Sequence, residues 1–199
     1  MSGIVASWYG WYQSPIGELV LISDGEALTG LKLPAVDASA GLPTGTGSRR
    51  DESAVREAID QLEAYFAGDR VGFDLRLRPS GTPFQRTVWE SLLSIPYGET
   101  ISYAEQARRI GRPGAARAVG AANGRNPIAI VIPCHRVIGA GGTLTGYGGG
   151  LPMKQWLLDH ESTVALDPTT KLTGKAPLTL AMRSKTRSVP PRPSPSGRS

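Results

Sequence analysis

The chain has 199 residues, 40% hydrophobic and 20% charged, with one cysteine, two histidines and a formal charge of +5. That length supports one or two small domains with a packed core. A single cysteine excludes an internal disulfide, and no apolar run approaches the roughly 18 residues a membrane helix needs, so a reducing cytoplasm is expected, or a nucleus if the source is eukaryotic.

The charge is uneven. Residues 167–199 carry Lys171, Lys175, Arg183, Lys185, Arg187, Arg192 and Arg198 against Asp167 alone, which leaves the remaining body near −1. This Pro/Ser-rich tail is expected to be a disordered, solvated extension, because its composition supports no packed core. Within the body, residues 101–126 hold Arg108, Arg109, Arg112, Arg117 and Arg125 against Glu105, a local +4 just upstream of the thiol. A local basic patch of this kind is the electrostatic footprint of a nucleic-acid surface.

In chain order, Trp8 to Leu33 predicts strands. Tyr12 to Gly17 supplies a turn, and Leu19–Ile22 and Leu28–Leu33 flank Asp24-Gly25, which makes a small sheet with a hairpin. Residues 34–50 are rich in Gly, Ala, Pro, Thr and Ser and read as a loose loop. Val55, Ile59, Leu62 and Phe66 lie at helical spacing within 53–67, closed by Gly68. Phe73 to Arg78 alternates like a strand.

Thr82 as N-cap and Pro83 at the first helical position open a second domain. Phe84, Val88, Leu92 and Leu93, with Trp89, form the core face of its first helix, and Ile95-Pro96-Tyr97-Gly98 ends it. Ser102 and Glu105 are spaced as a capping box for the next helix. Gly111-Arg112-Pro113-Gly114 then turns into a helix from Ala115 to about Asn123, a helix-turn-helix pattern. The small residues of that last helix fit close packing with good helix propensity, and they equally fit close approach of its backbone to a groove. Met153 to Glu161 reads as an amphipathic helix, whose Glu161 is either a solvated residue or a carboxylate returned to the pocket of the thiol.

Cys134 sits in Ile132-Pro133-Cys134-His135-Arg136-Val137, behind the apolar run Ile128–Val131. It is either a small buried hydrophobe or a nucleophile beside an imidazole. Pro133 stops strand pairing, so a strand is expected to end there and present Cys134 and His135 at its rim. A free thiol, with a pKa of about 8.5, is scarcely ionised at neutral pH, so a base matters, and His135 or His160 supplies it. Neighbouring side chains of an extended segment point apart, so Cys134 and His135 meet only across a turn or through a water. Glu161 is the candidate to orient the imidazole.

The run Pro133-Cys134-His135-Arg136-Val137, preceded by Asn126-Pro127 and followed by Gly146-Tyr147-Gly148-Gly149-Gly150-Leu151, resembles the active-site signature of the O6-alkylguanine-DNA alkyltransferases. The match continues backwards through Gly81-Thr82-Pro83-Phe84-Gln85, Ile95-Pro96-Tyr97-Gly98-Glu99-Thr100, Ser102-Tyr103 and Ala115-Ala116-Arg117-Ala118-Val119-Gly120. About 80 residues, 81–161, carry it, and residues 1–80 fit more loosely.

The resemblance implies an α/β N-terminal domain over 1–80, a small antiparallel sheet with a helix of ribonuclease-H-like type. A mainly helical C-terminal domain over 81–166 would carry a winged-helix-like helix-turn-helix, and 167–199 would be the tail. It implies stoichiometric, irreversible transfer of a methyl or larger alkyl group from O6-alkylguanine, and from O4-alkylthymine, in double-stranded DNA to Cys134. A stacked base cannot present its alkyl carbon to a thiol, so the nucleotide rotates out, here through the minor groove. That groove is about 6 Å wide against a helix of about 10–12 Å, which excludes bulky residues and requires the groove to widen.

By the same resemblance Arg117 fills the vacated stack, with Ala115, Ala116, Gly120 and Asn123 at the DNA surface. Tyr103 crowds the adjacent phosphate and donates to the purine, and His135 is the base, oriented by Glu161. Asn126 is the hinge to the cysteine segment. Val137, Tyr147, Gly148 and Lys154 form the pocket, with Ala129 and Gly148 standing where some relatives have proline and serine. A thioether resists water and no second cysteine resolves it, so each molecule acts once, with no cofactor, no metal and no membrane partner, as a monomer whose cooperativity on DNA stays open. One cysteine and two histidines also fall short of a thiolate-rich zinc site.

Two rival readings stand beside this one. A Cys-His hydrolase would use the same three residues on a carbonyl and would turn over. A lesion-binding recruiter would do no chemistry, and an intact cysteine motif speaks against it.

Overall fold

The computed structural model describes residues 7–34 and 47–167. The expected tail beyond Asp167 and most of the expected loop before Gly47 lie outside the described residues. Strands β1 (Ser7–Ser14) and β2 (Gly17–Ser23) form an antiparallel hairpin in register Ser14↔Gly17, and β3 (Leu28–Lys32) pairs antiparallel with β2. Gly17 closes the hairpin at φ +105°, a conformation open to glycine at no steric cost. A short β4 (Ser48–Arg50) lies parallel to β1, so the order is β3-β2-β1-β4 and the sheet is mixed. The end of the expected loop is therefore a strand, and the all-antiparallel expectation gives way to one parallel pair.

Leu19, Leu21 and Leu31 of the sheet share one apolar core with Ala58, Ile59, Leu62 and Tyr65 of α1 (Arg56–Phe66). A separate 3-10 turn, Glu52–Val55, precedes that helix and is capped by the Asp51 side chain on the Ser53 amide. The predicted strand at 73–78 is extended, with Phe73, Leu75 and Leu77 buried, but it bridges β3 only at Leu28↔Leu77. The reason is competition for one edge. Leu28 bonds to Arg76 and Arg78, whereas Leu31 donates to the Pro127 carbonyl at 2.8 Å and accepts from Ala129 at 3.3 Å. The outer edge of β3 thereby stitches the sheet to the segment leading to Cys134.

Helix α2 (Pro83–Leu92) begins with a complete capping box between Thr82 and Gln85 and has Pro83 in its first turn. Thr82→Ala is expected to lower stability by about 1 kcal/mol, read as a shifted urea midpoint at unchanged slope. Helices α3 (Tyr103–Arg109) and α4 (Ala116–Asn123) form the expected pair, joined through Gly111 at φ +70°. Ser102 caps α3 on the Glu105 amide, but the Glu105 carboxylate pairs with Arg108 and Arg109 instead of completing a box.

Buried polar groups lock α2, α3 and α4 together. Gln106 donates to the Val88 carbonyl at 3.1 Å and accepts from the Asn123 amide at 2.7 Å, while Trp89 Nε1 donates to the Ala122 carbonyl at 2.8 Å. Two-residue strands β5 (Ile101–Ser102) and β6 (Val137–Ile138) pair in parallel and tie the start of α3 to the end of the cysteine segment. Helix α5 (Leu151–Leu166) runs beyond both ends of the expected helix and buries Lys154, Leu157 and Glu161.

Candidate active site

No strand leads into Cys134. Ile128 makes one bridge with Leu31, the chain then turns with Ile130 at φ +68°, and Cys134–Arg136 is a 3-10 turn. A β-branched residue at positive φ is a genuine outlier held by its surroundings, and Ile130 is buried. The thiol is 8% exposed. Asn126 bridges the turn, its Nδ2 donating to the Ile132 carbonyl at 2.7 Å and to Cys134 Sγ at 3.2 Å while its Oδ1 accepts from the Ile128 amide at 3.1 Å. All the hydrogen-bonding groups of this amide are thus spent within the loop that carries the thiol.

Burial pushes the Cys134 thiol above its ordinary pKa, opposed by the Asn126 hydrogen bond and the Lys154 charge. Lys154 is fully buried on α5, and its ammonium donates to the Val137 carbonyl at 2.6 Å and to the Thr145 carbonyl at 2.9 Å. It also stands 5.8 Å over the Tyr103 ring. Val137 is buried with its carbonyl already engaged by Lys154, leaving one lone pair for anything else.

Glu161, weighed both as a solvated helix residue and as the carboxylate that orients the imidazole, is fully buried and is the hub of the site. Among the described residues it accepts five hydrogen bonds from four residues: at Oε1 from Tyr65 OH (2.8 Å), His135 Nε2 (2.9 Å) and Arg136 Nη2 (2.9 Å), and at Oε2 from Arg136 Nε (2.8 Å) and the Gly98 amide (3.1 Å). Burial opposes its ionisation, but His135 and Arg136 together hold it well below the usual carboxylate range. Burial also lowers His135 below its ordinary 6.5 despite the carboxylate, so the imidazole is neutral at physiological pH and Arg136 supplies the permanent counter-charge. With Nε2–H donated to Glu161, Nδ1 of His135 is a lone-pair acceptor, buried and without a protein partner among the described residues.

Sequence reasoning missed two residues here. Arg136 stood inside the cysteine motif, and its adjacency to His135 was the available signal. Tyr65 carried no signal beyond helical spacing. His160, weighed as a base, instead bonds the Tyr65 carbonyl at 2.8 Å and stacks on Trp156, away from the thiol.

Cys134 lines a cavity of about 180 Å³ together with Asn123, Asn126, Ala129, Tyr147, Gly148 and residues Leu31 to Leu33 at the end of β3. Gly124, Tyr147 and Gly148 also wall an adjoining open groove of about 550 Å³, lined further by Tyr103, Ala116, Arg117 and Gly120. Arg117 is exposed on α4, and Tyr103 is half-buried, with its hydroxyl 3.3 Å from the Thr145 carbonyl. Gly120 faces Tyr103, whose ring is 3.5 Å from where a Cβ would stand. Two residues expected at the DNA surface are held by the protein instead: Asn123 is buried in the wall of the Cys134 cavity with its amide committed to Gln106, and half-buried Ala115 packs on the core just before α4.

A sheet domain joined to a helix-turn-helix, with a buried thiol, a neutral imidazole and an open groove bearing Arg117 side by side, defines a nucleic-acid-binding protein that carries its own nucleophile. The chain matches the family described as 6-O-methylguanine DNA methyltransferase, ribonuclease-like domain, over residues 8–79, and the DNA binding domain of the same family over 83–163. It belongs to that family and is an enzyme of DNA repair by alkyl transfer to cysteine.

The methylated-DNA–protein-cysteine methyltransferase of Mycobacterium tuberculosis is 54% identical over 157 residues, 79% of this chain and 93% of the relative. That of Methanosarcina acetivorans is 49% identical over 156 residues, 78% of this chain and 99% of the relative. The crystal structure of the Mycobacterium tuberculosis OGT in complex with DNA superposes with a TM-score of 0.73 at 52% identity, covering 79% of this chain and 94% of that one.

Proposed function

We propose that this chain removes methyl and larger alkyl groups from O6-alkylguanine, and from O4-alkylthymine, in duplex DNA by a single irreversible transfer to Cys134. The observation that carries the reading is that the chain's sole cysteine lines a cavity opening beside a groove that bears Arg117. The groove receives the minor-groove face of DNA along Ala116 and Gly120, and Arg117 enters the stack as the damaged nucleotide rotates out. Every group named belongs to one chain, so a monomer suffices.

The thiol is stored neutral, because burial disfavours its anion. As Cys134 Sγ attacks the alkyl carbon, the carbon–O6 bond breaks and its electron pair goes to the guanine. The thiol proton passes through one water to His135 Nδ1, and the imidazolium is stabilised by ionised Glu161. Tyr103 donates to the purine as charge develops on it, and Lys154 offsets charge on the sulfur. The product thioether has no second thiol to resolve it.

The test is excess duplex DNA carrying O6-methylguanine, followed by peptide mass mapping. One methyl per chain, on Cys134, is expected. Lesion loss with unmodified protein and continued turnover would establish the hydrolase instead, and binding without transfer the recruiter. Arg117→Ala is expected to slow transfer from duplex at least about tenfold, since an unfilled gap costs stacking energy of a few kcal/mol, while leaving the rate with free O6-alkylguanine base unchanged.

A further inference from the structure

We infer that Tyr65, contributed by the sheet domain's helix α1, is a positioning residue for the transfer reaction, acting through Glu161 to set the orientation and basicity of His135. The inference rests on His135 being the base, as proposed above. Tyr65 is fully buried, and α5 grips it twice: its hydroxyl donates to Glu161 Oε1 at 2.8 Å and its carbonyl accepts from His160 Nε2 at 2.8 Å. Its ring packs against Phe73 and edge-on to Tyr97, which in turn lies under the Arg136 guanidinium at 5.5 Å. The ring is therefore anchored independently of the hydroxyl, and the hydroxyl is aimed at one atom.

That atom is the oxygen His135 uses. Tyr65 OH and His135 Nε2 compete for charge on Glu161 Oε1, together with Arg136 Nη2. A neutral donor on a carboxylate oxygen disperses its charge, which weakens the pull on a protonated imidazole without adding a cation. Tyr65 thus keeps Glu161 strong enough to fix the Nε2–H tautomer and weak enough to leave Nδ1 unprotonated at neutral pH. The charged and titratable groups facing this pair are Glu161 and Lys154 of α5, Arg136 and Cys134 of the turn, Tyr147 before α5, Tyr65 of α1 and Tyr97 after α2. Of these, Tyr65 alone comes from the sheet domain, so that domain takes part in the chemistry as well as in packing.

The experiment is the second-order rate of methyl transfer against pH for the full chain, for Tyr65→Phe and for His135→Gln, with imidazole nitrogen shifts of His135 read by NMR. The unmodified chain should lose rate on acidification as His135 protonates, and His135→Gln should lack that limb. No acid limb in the unmodified chain would refute His135 as base, and this inference with it. Given the limb, Tyr65→Phe should cut the plateau about three- to tenfold and move the midpoint up by about half a pH unit or more, since Glu161 then holds the imidazolium more tightly. An unchanged midpoint and tautomer in folded Tyr65→Phe would overturn the role of Tyr65. Should that variant not fold, difluorotyrosine at position 65 keeps the ring and strengthens the donor, and the midpoint should move down; a midpoint that stays or rises would refute the inference.

Discussion

Cys134→Ala is expected to abolish methyl transfer completely while leaving the fold and affinity for duplex DNA intact. The substitution removes one sulfur from a small buried site, and the Asn126 amide keeps its bond to the Ile132 carbonyl, so the thermal midpoint should stay within a few degrees, about 1 kcal/mol for a domain of this size. Nothing in the chain substitutes for the thiol, because there is no second cysteine. Intact mass after exposure to methylated duplex should show one added methyl on the parent chain and none on the variant.

The parent's rate should be flat between two limits. Below the ordinary imidazole value of 6.5 it falls, because the lowered His135 is finally protonated. Above the ordinary thiol range it rises, because the raised Cys134 finally ionises without help. Transfer that follows a single alkaline thiol titration with no acid limb would mean that His135 takes no proton.

The second large effect is on stability. Glu161→Ala is expected to cost about 3–5 kcal/mol, since it leaves the Arg136 guanidinium buried without its counter-ion and removes the acceptor of Tyr65 and His135. Urea denaturation of the parent, Glu161→Ala and Glu161→Ala/Arg136→Met measures it. The double variant should recover part of the loss, because an apolar side chain there carries no desolvated charge.

The same cluster sets the response to acid. His135 has a lowered pKa in the fold, so the unfolded chain takes up its proton first, and stability is full above 6.5 and erodes below it. Glu161 is lowered too, so its contribution is full above the ordinary carboxylate value of 4.5 and is lost as pH falls further. The thermal midpoint should decline in those two stages, and Glu161→Gln should remove the second. A midpoint flat to pH 4 would show that neither group is held in the state described.

Much of the scaffold was legible because it is written locally. The Thr82/Gln85 box, Pro83 in the first turn, the hairpin strands and the α3–turn–α4 pair each depend on residues a few positions apart. The cysteine motif with its flanking Asn126 and Gly148 likewise marks the reactive segment in the sequence, although the expected strand is a 3-10 turn. The 73–78 segment had the right alternation yet became a single bridge, because Leu31 gives its half of the β3 edge to Pro127 and Ala129.

What local pattern left open was the charge inside the core. The buried stripe of α5 is Lys154, Leu157 and Glu161, so a hydrophobic period places both charged residues in water. Their burial is tolerable only because partners arrive from far along the chain, Arg136 at a separation of 25 residues and Tyr65 at 96. Most of the helices, the hairpin, the helix-turn-helix and the one possible thiol nucleophile follow from the sequence alone, through short-range sterics, capping and composition. The ionised state of Glu161, the neutral state of His135 with Nδ1 unpartnered among the described residues, and the reach of Tyr65 from the sheet domain to Glu161 come from the packed fold, because solvation and long-range hydrogen bonding set them and neither has a sequence period.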